Sequence, residues 1–315
     1  MMQIVLIGLG AGAAAALLFA SVTSGSILSI ALFYVAPLPI LIAALGWSHW
    51  AGLIAALGAA TTLAAVFGSV FFLAFVAGTG LPAWWLGYLA LLARPAPDGT
   101  LEWYPPGRLV LWAAVLAALV VIVGVLNLGT DYETFRTTLH QSLARIIRFT
   151  MPSGEDAPGA TNTALLDFLV LAIPPAGAVL ATITNVANLW LAGRVVKFSG
   201  RLGRPWPDLM ELRFPRPAAI ALLAAVLVSL AGGLVGVIAG VAASSLTIAY
   251  GILGFAILHA ITRGMSGRPL ILGASYAAVA FLGWPVLALC MLGLADALID
   301  IRARLARRRG PPATT

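Results

Sequence analysis

Apolar segments follow one another along nearly the whole chain, at about 3–20, 27–45, 49–66, 68–93, 108–128, 163–192, 217–242, 243–262 and 269–299. A helix needs about 20 mainly apolar residues to cross roughly 30 Å of hydrocarbon, and most of these segments reach that length. The runs are continuous rather than alternating with period two, so they read as helices and not as barrel strands. Composition points the same way, with 61% hydrophobic and 9% charged residues, whereas a soluble domain carries about 25% charged residues. The expected fold is all-α, a polytopic transmembrane helical bundle of about 8–10 spans forming a single integral membrane domain over 1–315. An amphipathic outer loop at about 130–161 and a basic cytoplasmic tail at about 301–315 complete it.

Charge placement orients the spans, because Lys and Arg accumulate in cytoplasmic loops. Six basic residues fall between Arg194 and Arg216, two are Arg263 and Arg268, and five lie between Arg302 and Arg309, so thirteen of eighteen share three segments. Those segments are expected on one side, with both termini inside. The last run, Pro269 to Ile299, would be about 46 Å long as one helix at 1.5 Å per residue, too long for an ordinary span. Gly283, Trp284 and Pro285 at its middle predict a turn or break, hence two short helices or a re-entrant segment. The loop from Thr130 to Thr161 falls outside, and there Phe135, Leu139, Leu143 and Ile147 repeat every four residues, as in a helix lying in the interface plane.

The same features exclude several classes of function. The net charge of +7 comes from residues flanking apolar helices, so anionic lipid head groups are the expected partners and nucleic acid is not. His49, His140 and His259 are far apart without ligand-spaced neighbours, and Cys290 is the one cysteine, so no metal site and no intrachain disulfide is expected. No Lys or Arg precedes the run from Ile4 to Ala20, which reads as a retained first span rather than a cleaved signal. Phosphate-binding loops, dinucleotide fingerprints, nucleophile elbows and zinc-protease helices are missing from the sequence, so no enzyme activity and no cofactor are expected.

A carboxylate in hydrocarbon is costly and marks a function or a partner. Of eleven acidic residues only Asp167 and Asp296 fall well within apolar runs. Asp296, Asp300 and Arg304 are spaced by four and on one helix would share a face. Asp296 then either anchors the last helix or acts as a ligand or coupling residue, with His259 and Arg263 as candidate partners from another helix. Asp167, near one end of its span, reads as helix N-terminal stabilisation. The segment 163–192 is the most polar, carrying Asn185 and Asn188 beside Pro174 and Pro175. Those two amides either meet a ligand in a cavity or hydrogen-bond a neighbouring helix. The candidate ligand-binding residues are Asn185, Asn188, His259 and Asp296. Small residues recur every four positions as Gly8, Gly12, Ala16 and Ala20, and again as Gly232, Gly236 and Gly240, spacings that predict helix-packing faces. Trp84, Trp85, Tyr88, Trp103 and Tyr104 read as interfacial anchors.

Five phrases, Tyr34 to Pro39 (YVAPLP), Pro82 to Tyr88 (PAWWLGY), Glu102 to Leu109 (EWYPPGRL), Asn188 to Arg194 (NLWLAGR) and Gly293 to Arg302 (GLADALIDIR), together resemble the YybS-like family of bacterial membrane proteins. That resemblance covers nearly the whole chain. The family in turn looks distantly like the substrate-binding S components of energy-coupling-factor transporters, which pack small-residue helix faces against a coupling subunit. The stripe from Gly8 to Ala20 resembles such a face. The resemblance implies a multi-pass protein of the bacterial inner membrane that binds a small molecule in a transport-related role. The alternative is a structural or assembly partner of other envelope proteins, joined through the small-residue stripes.

Overall fold

The structure, a computed structural model, describes residues 1–150 and 159–304. Part of the outer loop, 151–158, and the basic tail beyond 304 lie outside the described residues. The described residues are mostly helical, and strands β1 (Ala93–Pro95) and β2 (Leu101–Trp103) pair antiparallel as a small hairpin. The helices are α1 (Met2–Ala20), α2 (Ile27–Val35), α3 (Pro37–Gly46), α4 (His49–Phe67), α5 (Ser69–Phe75), α6 (Leu81–Ala90) and α7 (Pro106–Leu128). They continue as α8 (Tyr132–Thr150), α9 (Gly159–Phe198), α10 (Arg216–Ser229), α11 (Gly233–Ile261), α12 (Arg268–Leu282) and α13 (Val286–Ile299).

Among the described residues, seven stretches are long and apolar enough to cross a membrane: 2–24, 27–46, 49–67, 69–90, 106–128, 164–198 and 233–261. Helices α10, α12 and α13 are apolar but only 14, 15 and 14 residues long. At 1.5 Å per residue each spans about 21–23 Å, short of a hydrocarbon core of roughly 30 Å. Among the described residues there are therefore seven helical stretches of full spanning length and three short apolar helices. The segment 269–299 is indeed two helices, broken at Gly283 (φ 73°), Trp284 and Pro285. The turn before α11 falls at Gly232 and Gly233, both at positive φ, rather than near 242–243, because only glycine takes two successive left-handed positions without strain.

Two compact units are distinguishable by packing: one comprises 1–113, 183–215 and 249 onward, the other 114–182 and 216–248. In the first, small residues set the helix spacing. A Cβ on Gly52 of α4 or Gly87 of α6 would stand 2.7 or 2.8 Å from the Ala44 methyl of α3, so all three backbones close on one alanine. Gly8 and Gly12 of α1 lie against α4, where added Cβ atoms would stand 2.7 Å from Ile54 and from the Ala55 carbonyl. Ala16 is buried there and Ala20 half-buried. Helices α11 and α13 meet as closely, since a Cβ on Gly254 would run into the Leu289 backbone and one on Gly293 would stand 2.5 Å from the Tyr250 carbonyl.

The second unit is built on α8 and its neighbours. Asp131 caps α8, accepting the Thr134 N–H at 2.9 Å. The apolar stripe of α8 faces protein, with Phe135, Leu139 and Leu143 packed against Val125 of α7 and Val170 of α9. That placement differs from a stripe lying on lipid, and its cause is that α7 and α9 present a matching apolar surface. Asp167 stands well inside α9 and pairs with Arg136 of α8 at 2.9 Å, so its partner is an arginine and not the helix N-terminus. In the second glycine stripe, Gly232 occupies the turn with nothing within 4 Å of its missing Cβ and Gly240 is likewise open. Gly236 comes nearest the Ser229 carbonyl, at 3.0 Å across that turn. Within the described residues, Gly232 and Gly236 serve the reversal between α10 and α11.

Candidate functional site

Asn188 serves the break between α2 and α3, where the helical ladder is interrupted and a carbonyl is left that hydrocarbon will not solvate. Asn188 Nδ2 donates to the Tyr34 carbonyl at 2.8 Å and to Thr184 within its own helix at 2.9 Å. Asn185 Nδ2 donates to the Ala113 carbonyl of α7 at 3.2 Å. Both amides are buried and each donor amide bonds a carbonyl of another helix, so they join helices. The Asn188 Oδ1 is left buried without a partner.

Asp296 is also engaged by protein. Arg302 donates to its Oδ2 from Nη2 at 2.7 Å and from Nε at 3.0 Å, while the Arg302 backbone N–H reaches Oδ1 at 3.0 Å. The side chains of Asp296 and Arg302 are only 4% and 10% exposed. This corrects the expectation of a partner at His259, at Arg263 or in a ligand. Helix α13 ends at Ile299 and Asp300 turns left-handed at φ 51°, which folds the following residues back over Asp296. The proposed four-residue ladder is thereby broken, and Asp300 pairs with Arg213 at 3.2 Å instead of Arg304.

Of the four candidate ligand residues, His259 lines an apolar cavity, and Asn185, Asn188 and Asp296 stand outside its lining. That cavity, about 500 Å³, lies wholly within the first unit, walled by α9, α11, the start of α7 and the loop 199–215. Its surface is almost entirely apolar, with Leu109, Ile183, Val186, Ala187 and Ile252 among its walls. Phe255 stacks on Tyr276 with ring centres 4.3 Å apart, and His259 meets Tyr276 edge-on at 5.8 Å. The His259 Nδ1 lies 2.9 Å from the Phe255 carbonyl. A carbonyl only accepts, so Nδ1 carries a proton in this contact.

Arg204 brings a charge to this apolar wall. It donates to the Ala90 carbonyl at the end of α6 at 3.0 Å and to the Tyr104 carbonyl at 3.3 Å, so part of its role is to cap a helix. Its guanidinium lies 5.9 Å from the Trp103 ring, and its Nε is buried without a partner. Burial lowers its pKa from the ordinary arginine value, but an arginine stays protonated and the charge remains. Trp206, two residues on, also lines the cavity and carries Arg194 at 5.7 Å and Lys197 at 5.0 Å over its ring. Gly193 admits the indole, since a Cβ there would stand 3.3 Å from Trp206. Among the described residues, none of Arg194, Lys197, Arg201 and Arg204 forms an ion pair with a carboxylate.

Arg204, Trp206 and Tyr276 were not singled out from the sequence. A signal exists in the run Arg204-Pro205-Trp206-Pro207, where a cation precedes an indole held between two prolines in a basic loop. The aromatic residues near α6 are packed on one another as well as near helix ends. Trp85 meets Trp112 edge-on at 5.6 Å, Trp112 Nε1 donates to the Tyr104 hydroxyl at 3.0 Å, and Tyr88 contacts His49 at 5.2 Å.

Residues 13–297 match the model of a family described as Predicted membrane protein (DUF2232). No curated protein and no solved structure matches the chain.

Proposed function

The chain belongs to the DUF2232 family of predicted membrane proteins, and from that premise we propose that it is a small-molecule-binding, transport-related membrane component that works without catalysis. The observation that carries this reading is the apolar cavity of about 500 Å³, whose lining carries few polar groups, chief among them Arg204, His259 and Tyr276. Small-molecule sites are concave and mostly apolar, about 300–1,000 Å³ in volume, with a small number of placed polar groups. In this reading the protein is a multi-pass protein of a bacterial inner membrane, and the loops bearing Arg194 to Arg216 and Arg263 to Arg268 face the cytoplasm. The likeness to an S component rests on that cavity. It does not rest on the Gly8–Ala20 stripe, because α4 of the same chain already covers Gly8 and Gly12. The alternative of an assembly partner docked on the small-residue stripes keeps only the second stripe, where Gly232 and Gly240 are open, since α4 already covers Gly8 and Gly12.

The test is purification in mild detergent followed by native mass spectrometry. A retained molecule is expected in the wild type and not in Ala187→Phe, which fills the cavity from an exposed position of α9. Equal retention by both proteins would place the bound molecule elsewhere and remove the cavity from the reading.

A further inference from the structure

Burying charge in an apolar wall is costly unless an opposite charge compensates it. Arg204 stands in such a wall with two backbone carbonyls and an indole for company, and these supply dipoles but no negative charge. Two further cations, Arg194 and Lys197, are held over the Trp206 ring that closes the same cavity. Cytoplasmic basic loops also carry unpaired arginines, but orientation alone does not call for cations fixed on the tryptophan of a cavity wall. The remaining lining is apolar except for His259 and Tyr276. Resting on the binding role proposed above, we infer that the occupant is an anionic amphiphile: its apolar body fills the cavity along Ile183, Val186 and Ile252, and its single anionic head lies among Arg204, Arg194 and Lys197. The cations belong to the end of α9 and the loop after it, where a helix meets the aqueous boundary, so the head stays near water and the body extends inward. A free carboxylate-bearing amphiphile and an anionic lipid of the bilayer share this chemistry.

The experiment compares two probes with the same apolar body, 12-bromododecanoate and 12-bromododecanol. Each is added at equal bilayer mole fraction to the full-length protein in phosphatidylcholine nanodiscs, at about pH 9 where the carboxylate is ionised. Bromine quenches nearby tryptophans, and Trp190 and Trp206 line the cavity. The acid is expected to quench at concentrations about tenfold lower than the alcohol, the effect of one charge-assisted hydrogen bond. Arg204→Gln should abolish that preference. Because this variant also loses the cap on α6, Arg194→Gln combined with Lys197→Gln, at two exposed positions, provides the second arm and should reduce the preference severalfold. Replacing part of the phosphatidylcholine by phosphatidylglycerol distinguishes the sources. Displacement of the acid identifies a bilayer lipid as the occupant, and persistence of the acid identifies a free amphiphile; both support the anionic head. Equal quenching by acid and alcohol, lost in Ala187→Phe, overturns the anionic head and leaves the apolar binding role standing. A preference for the acid that survives all three charge substitutions overturns the placement of the head. Quenching by neither probe removes both readings.

Discussion

Arg302 closes on Asp296 through its backbone N–H and two guanidinium N–H groups, and its remaining donors reach the carbonyls of Met210 at 2.6 Å and Leu212 at 2.8 Å. One arginine thus ties the end of α13 to the loop that leads into α10. Removing one partner of a buried pair strands the other charge, at a cost of about 3–5 kcal/mol. Asp296→Ala is therefore expected to lower the unfolding temperature in detergent strongly. Asp300→Asn should do far less, because the Arg213–Asp300 pair is about half exposed and such pairs contribute about 0–1 kcal/mol. Equal tolerance of the two substitutions would mean that the Asp296 pair does not hold the loop.

The Asp300 pair has a pH signature of its own. The hydrogen bond from Arg213 holds the Asp300 carboxyl below the usual aspartate range. A depressed pKa stabilises the fold above the unfolded value and is lost as pH falls through the folded one. The small difference between wild type and Asp300→Asn should persist at neutral pH and shrink to nothing as pH drops below about 3.9. Thermal unfolding of both proteins across that range checks the sign, and a difference that grows on acidification would refute it.

Why the helices were legible and these pairings were not follows from the range of each effect. Hydropathy is a local property, so the runs that became α1, α4 and α7 announce themselves within twenty residues, and the break between α12 and α13 is written in Gly283 and Pro285. The partner of Asp296 depends on one left-handed residue, Asp300, which no periodicity reveals, and a reading that extended α13 through Arg304 placed the wrong arginine beside the wrong acid. Likewise the charge rule treats every loop arginine alike, so Arg204 counted toward orientation while its place in the cavity wall stayed hidden until α6, α7 and α9 were brought together. Gly254 and Gly293 escaped because they sit on different helices and neither forms a four-residue stripe.

Those two glycines give a sharp packing test. A methyl on Gly254 has no room beside the Leu289 backbone, which cannot rotate away as a side chain would. Overpacking of this kind costs about 1–3 kcal/mol, so Gly254→Ala should lower folded yield and unfolding temperature. Gly10→Ala, at a position with nothing within 4 Å, should be neutral or stabilising by up to about 1 kcal/mol. If both behave alike, close approach of α11 and α13 is not what fixes this end of the fold.

Topology can be read from reporters that are active only in the cytoplasm. Fusions after Phe198, after Ser266 and at Thr315, the last beyond the described residues, are expected to be active at all three points. The prediction turns on α10, which must cross with α11 for Phe198 and Ser266 to share a side, and on α12 and α13, each too short to cross an undistorted bilayer but together able to enter it and return. Silence at Thr315 with activity at the other two would show that 268–299 crosses once.

The last expectation separates joining from binding at the two asparagines. Asn185 and Asn188 each donate to a carbonyl of another helix and stand outside the cavity lining. Leucine at either position keeps the bulk and removes the donor, leaving the Ala113 or Tyr34 carbonyl without that partner. Hydrogen bonds between membrane helices contribute about 0.6–2 kcal/mol. Asn185→Leu should therefore lower the unfolding temperature modestly and leave 12-bromododecanoate quenching unchanged in the fraction that folds. Asn188→Leu should show the same pattern with a larger stability loss, because its amide also serves Thr184 and the carbonyl it reaches lies beside the α2–α3 break. Loss of probe binding at unchanged stability would overturn this assignment and return both amides to the binding site.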